Sequence, residues 1–212
     1  MGPIRTGLFY GALAGAIALA TEMYFLILDP SSTASWVLAA VGSYRTRLSL
    51  AAFLFLAILA AIRMRPTRPD PEASYRSLLV RDGALAATVV AFVVGTVLLL
   101  TTLLQATLLA DDMRAYAREA APRVVEYVNG VRDEIQDRRR EEGQSPEEVN
   151  DVPPPAEVPA VEESFGPPAP RDLGRSLANF VLRAILLGTV GGLVGALRGR
   201  SKNAPEGSPA AR

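Results

Sequence analysis

The chain of 212 residues contains no cysteine and no histidine, and only one tryptophan. Without cysteine there is no disulfide, no thiolate nucleophile and no cysteine-held zinc or iron–sulfur centre. Without histidine the commonest general base and the usual zinc and haem ligand are missing. Most hydrolase and redox mechanisms fall with them, and a carboxylate-only site is what remains. No paired carboxylates at matched depth, no cluster of metal ligands and no nucleophile–base pair can be named. The expectation is a non-enzymatic protein with no catalytic residue, cofactor or metal. No basic surface large enough for nucleic acid is present either.

The other shortage is of charge, and it is local. Residues 7–28, 48–62, 83–110 and 176–197 carry almost none. A bilayer crossing needs about 20 apolar residues. The first, third and fourth runs are long enough, so the expected fold class is an all-α membrane protein with four transmembrane helices. The implied organisation is residues 1–110 with spans at about 7–28, 45–63 and 83–110, then an extracytoplasmic amphipathic helix over 111–142. An acidic Pro-rich disordered linker follows at 143–172, then a fourth span within 173–199 and a disordered cytoplasmic tail at 200–212. The lipid bilayer is the first partner that composition implies.

The net charge is zero, yet from Asp111 to Asp172 there are 16 acidic and 8 basic residues, a net of −8, against +8 for the rest. Arg5, the Arg63–Arg68 turn with Arg76 and Arg81, and the Arg198–Lys202 end mark the cytoplasmic side by the positive-inside rule. Both termini then lie inside a plasma membrane of bacterial type, and 111–172 lies outside. Arg45 and Arg47 stand against the rule. A signal peptide cut after Ala18-Leu19-Ala20 is the alternative for the N-terminus, opposed by the apolar run through Met23–Leu28. For the second span, the favoured reading is an interfacial segment around Trp36 followed by a short tilted crossing. The other option is one span from near Tyr44 with both arginines snorkelling. Asp29-Pro30-Ser31-Ser32 is a turn.

Two features of the spans are specific. Gly7, Gly11 and Gly15 form a small-residue face, as do Gly188, Gly191, Gly192, Gly195 and Gly199, a glycine-zipper pattern. Small residues four apart let helices approach closely. The expectation is that the first and fourth spans pack on each other, antiparallel. Glu22 and Arg183 are the clearest ionisable residues within spans, and such residues usually pair or line a cavity. An intramembrane ion pair is the structural reading; an ion or proton relay is the functional one. Thr101, Thr102 and Gln105 are candidates for a small polar cluster. Asp82 reads as a helix cap.

Outside the spans, Met113, Tyr116, Ala120, Val124, Tyr127, Val131 and Ile135 recur at spacings of three and four, which makes one apolar helix face. Pro122 should kink or restart that helix. The stripe either packs on its own protein or headgroups, or forms a short coiled coil with a partner or a second copy. Ser145-Pro146-Glu147-Glu148 has the form of a capping box with Pro at the first helical position. Gln144–Arg171 otherwise reads as an extended flexible tether, with a polyproline-binding partner as the alternative.

The stretches Leu48–Arg81, Leu85–Tyr127 and Phe180–Lys202 are similar in layout to a family of small bacterial membrane proteins known only as a domain of unknown function. That family has two spans, an Arg-rich turn, a third span running into an external helix, and a fourth ending in Gly/Ala and basic residues. The likeness implies a four-helix bundle and supplies no activity or site residue. The functional expectation is a scaffold, accessory subunit or envelope factor that contacts partners through residues 111–142. An oligomeric transporter or channel subunit using Glu22 and Arg183 is the alternative.

Overall fold

The computed structural model describes residues 1–65 and 74–201. Arg68 and the tail from Lys202 onward lie outside the described residues. Eight helices run through the described chain, and no strand is found among these residues. They are α1 (Pro3–Glu22), α2 (Tyr24–Ile27), α3 (Ser35–Arg63), α4 (Tyr75–Thr107), α5 (Ala110–Glu141), α6 (Pro146–Asn150), α7 (Val158–Phe165) and α8 (Pro170–Ser201). Four of them, α1, α3, α4 and α8, are long and apolar enough to cross a membrane.

Several expected boundaries move. The first helix stops at Glu22, and the chain bends at Met23 before the short α2. The second span is a single helix from Ser35, Trp36 included, so no separate interfacial segment precedes it. The third does not run on unbroken. It ends at Thr107, and α5 restarts at Ala110. Pro122 lies inside α5 without ending it.

The chain divides into two units. The first comprises Met1–Glu22, Leu48–Thr101 and Arg171–Arg212; the second comprises Met23–Arg47 and Thr102–Pro170.

In the first unit the buried residues are small: Ala14, Ala18, Ala57, Ala60, Ala86, Ala87 and Ala91, with Phe53, Met64, Val90 and Leu187 among them. The large apolar side chains point outward, as with Phe9, Phe55, Phe92, Leu182, Ile185 and Leu193. A core of alanine under a coat of leucine and phenylalanine suits helices whose surroundings are as apolar as their interior.

The glycines define the packing. A Cβ on Gly7 would meet Ala86 O and Val89 at 2.7 Å, one on Gly11 would meet Val93, and one on Gly15 would meet Val97. The matched numbers rise together, so α1 runs parallel to α4. The α8 glycines meet a second face of α4 in the reverse order: Gly188 on Thr88, Gly191 on Gly83 and Ala87, Gly195 on Leu79, Gly199 on Arg76. The two glycine faces therefore pack on α4, not on each other. At 100° per residue the two faces of α4 lie roughly 100° apart.

The third helix of this bundle, α3, runs against α1. Ser49 Oγ donates to Thr21 Oγ1 at 3.1 Å near one end, and the Arg65 amide donates to Met1 O at 3.0 Å at the other. Arg198 of α8 donates to Ala61 O at 3.0 Å and to Met64 O at 3.4 Å. It thereby satisfies carbonyls that the end of α3 would otherwise leave unpaired. Met1, Arg65, Arg76 and Arg198 thus share one end of the unit.

The second unit is built on α5. Its core joins Tyr24, Phe25, Leu38, Met113, Tyr116, Ala117, Ala120, Val124 and Phe165. At the far end of α5, Gly143 takes a φ of 73°. The Gly143 and Gln144 amides donate back to Arg140 O and Arg139 O, each at 3.1 Å. This left-handed C-terminal glycine reverses the chain, and residues 144–165 then return along the helix.

Candidate functional site

The returning segment overturns the reading of 143–172 as a disordered linker. The capping box forms: Ser145 Oγ accepts from the Glu148 amide at 3.3 Å, and Glu148 Oε2 accepts from the Ser145 amide at 2.9 Å. Pro146 opens α6, which ends before the proline run. The Ser145 N–H and hydroxyl hold the Glu148 carboxyl below the usual range.

Beyond α6, side chains of α5 take the carbonyls one after another. Arg139 donates to Glu148 O and to Asp151 O, and Arg132 Nε donates to Pro153 O at 3.0 Å. Asn129 closes a pair with Ala156, its amide nitrogen giving to Ala156 O at 3.1 Å and its oxygen accepting from Ala156 N at 2.8 Å. Arg118 meets Glu162 at 3.9 Å. Proline lacks an N–H but keeps its carbonyl, so a proline run needs donors from elsewhere, and α5 supplies them. The segment is a strap.

The strap ends in an aromatic anchor. Phe165 is 1 % exposed. It lies 5.9 Å from Tyr116 and 6.1 Å from Tyr24, ring centre to ring centre. Its tip comes so close to Gly42 that an added Cβ would stand 2.9 Å from Cζ, so only glycine leaves room there. Tyr24 meets Tyr116 edge-on at 5.4 Å. The Arg45 guanidinium lies over the Tyr24 ring at 4.6 Å, a cation–π contact. Burial, then neighbouring Tyr24, push the Tyr116 hydroxyl up to about 12, with Arg45 opposing.

The apolar stripe of α5 divides in two. Met113, Tyr116 and Val124 are buried in the core just described. Tyr127, Val128, Val131 and Ile135 are 37–40 % exposed. The same face is covered for its first half and open for its second.

Within the spans, Arg183 is half-buried on α8, Glu22 is half-buried at the end of α1, and no ion pair among the described residues joins them. The helices that carry them pack on different faces of α4. Thr101 is buried, and its hydroxyl bonds Val97 O of its own helix at 2.8 Å.

Asp82 is not a cap, because α4 starts at Tyr75 and Asp82 lies two turns inside it. Its side chain is 3 % exposed, with Arg81 Nε at 3.0 Å on one oxygen. Its other oxygen, Oδ2, is buried without a hydrogen-bond partner. A groove of about 510 Å³ runs between α4 and α8, lined by Ala84, Thr88, Ala184, Ile185, Gly188 and Thr189 among others. It is apolar and carries no charge. No group of three or more His, Cys, Asp or Glu stands ready to hold a metal ion among the described residues.

Sequence reasoning singled out the glycines and the stripe, and missed Asn129, Arg132, Arg139, Phe165 and Arg198 as holding residues. Each acts on a backbone carbonyl or a ring distant in sequence, a relation that no local spacing records.

No family model, curated protein or solved structure matches this chain.

Proposed function

We propose that this protein is a small non-enzymatic membrane protein, a scaffold, accessory subunit or envelope factor, that meets its partners through the distal half of α5. Both termini are cytoplasmic in this reading, and residues 111–172 are extracytoplasmic. The shared end of Met1, Arg65, Arg76 and Arg198 supports that orientation, since basic residues collect on the inner face.

The observation that carries the reading is the open half of the α5 stripe. A helix face that the protein buries over three turns and then leaves partly exposed, on a helix braced by its own strap, is suited to contact. The test is carboxylate-reactive cross-linking with mass spectrometry on intact membranes containing a C-terminally tagged chain. The expected result is a reproducible product through residues 126–142. A chain that yields none, and runs as a lone monomer in mild detergent, overturns the reading.

A second reading, an oligomeric transporter or channel subunit, draws on Asp82, a buried carboxylate with an unpartnered oxygen in a helix able to span. Intramembrane ionisable residues commonly mark ion paths. It requires that Asp82→Asn abolish ion flux in liposomes while the protein stays folded, and unchanged flux removes it.

A further inference from the structure

Residues 6–21, 48–62, 83–107 and 176–197, which make up most of the four long apolar helices, hold one charge between them, that of Arg183. Its depth in the first unit can be read from the glycine contacts. Gly188 of α8 faces Thr88 of α4, and Gly11 of α1 faces Val93 of α4. Helices α4 and α8 run in opposite directions, so five residues back from Gly188 corresponds to five residues on from Thr88. Arg183 is therefore level with Val93, and so with Gly11 near the middle of α1. Phe180 fits the same register, against Gly95 and with its ring centre 5.9 Å from that of Phe92.

Arg183 is half-buried and forms no ion pair among the described residues. A cation at that depth in a bilayer is costly, and such residues are ordinarily paired. The carboxylates of the chain's own spans stand too far off. Helices α1, α4 and α8 carry one each, Glu22, Asp82 and Asp172, and α3 carries none. Each lies 11 residues from the level of Arg183: from Gly11 to Glu22, from Asp82 to Val93, and from Asp172 to Arg183 itself. At the rise of an α-helix that is about 16 Å, beyond the joint reach of an arginine and a carboxylate side chain.

We infer that Arg183 is a docking point, inside the bilayer, for a spanning helix of a different membrane protein that carries a carboxylate at matching depth. The inference rests on the reading of α8 as a span, and it adds a second place of contact to the one on α5.

Depth selects this occupant. A second copy of the chain, set the same way round by the same charge asymmetry, lies at the same level and brings its carboxylates no nearer. Lipid headgroups are also out of reach. The charged outer end of α8 begins at Arg175, eight residues or about 12 Å outward of Arg183, and a snorkelling side chain of three methylenes falls short of it. A foreign helix with a carboxylate at this level supplies the counter-charge directly, in apolar surroundings where the attraction is little screened. Leu186 and Leu193, 50 % and 61 % exposed, give that helix an apolar seat. They lie within about 80° of Arg183 around α8.

The test uses a synthetic spanning peptide of about 20 leucines with one central guest residue. The full chain, labelled through a cysteine added after Arg212, is reconstituted with it in phosphatidylcholine vesicles, and energy transfer reports pairing. A Glu guest should pair several-fold more tightly than Gln or Leu. Arg183→Leu should erase that preference, and Arg183→Glu should transfer it to an Arg guest. Arg183→Leu should also leave the denaturation midpoint in detergent unchanged or raised, since a charge without a partner is removed from apolar surroundings. A lowered midpoint shows that the guanidinium is held within the chain, and overturns the inference. Equal pairing of Glu and Leu guests overturns it as well, and so does a Glu preference that survives Arg183→Leu. If Arg183→Cys reacts with a membrane-impermeant thiol reagent in intact vesicles, α8 does not hold this residue in lipid; the spanning reading then fails, and the inference with it. Contact through residues 126–142 is measured separately and is untouched by these variants.

Discussion

The two units solve the problem of cohesion in opposite ways. In the first, helices meet backbone to backbone over glycine and alanine, and few polar side chains link one helix to another. In the second, rings stack around Phe165, and arginine and asparagine reach across to carbonyls. The two solutions are those that apolar and aqueous surroundings each favour. Between apolar neighbours no hydrophobic gain rewards burying leucine over alanine, so close contact decides. Against water, burying rings such as Phe165, Tyr116 and Tyr24 is itself favourable, and buried carbonyls of a strap need partners in either surroundings.

Breaking the first unit should have the largest effect. Gly191 faces Gly83 O, 2.5 Å from where a Cβ would sit. Because the obstacle is backbone, Gly191→Leu must push α8 off α4, at a cost of about 3 kcal/mol or more. The expected outcome is a sharp fall in the denaturation midpoint in detergent with the strap still protected from protease. If the midpoint holds, glycine contact is not what joins α4 and α8.

Phe165→Ala attacks the second unit alone. Removing a fully buried phenylalanine costs about 3–5 kcal/mol. Limited proteolysis should then cut between residues 150 and 165 while the spans keep their helicity. A strap that stays resistant would locate its anchorage in Asn129 and the arginines instead.

The smallest effects are those of pH, and they belong to the second unit. The Tyr116 hydroxyl is raised to about 12, so the unfolded chain loses this proton first. Its contribution is complete below the ordinary tyrosine value, about 10, and is lost as pH climbs toward 12. At the acid end Glu148 is lowered. Its contribution is present above the ordinary glutamate value, about 4.3, and fades as pH falls through the lowered one. Tyr116→Phe should remove the alkaline dependence at little cost, since the hydroxyl has no hydrogen-bond partner. An unchanged alkaline profile in that variant would assign the effect to another tyrosine.

These contrasts also separate what could be read along the chain from what could not. The spans were legible because hydropathy is local. So was the Ser145–Glu148 box, whose partners are three residues apart. The glycine faces were visible, but periodicity identifies a face without its occupant, and α4 offers two faces lined by small or β-branched residues, Gly83–Ala87 on one side and Ala86–Val93 on the other. The strap was misread because composition counts the donors that proline lacks and the apolar side chains it fails to bury. The Asn129 and Arg132 donors that hold it lie 21–27 residues upstream, and a single anchor, Phe165, sits at its end. Asp82 looked like a cap because the apolar run starts beside it, whereas the helix starts at Tyr75.

The Arg198 contact has a consequence for biosynthesis. The carbonyls of Ala61 and Met64 at the end of α3 are satisfied by a residue 137 positions beyond the first of them. At a synthesis rate of about 5–20 residues per second, that guanidinium emerges roughly 7–27 s after the helix it completes. For that interval the nascent α3 has an unfinished terminus. The bundle closes when Arg198 arrives, rather than when its early helices form.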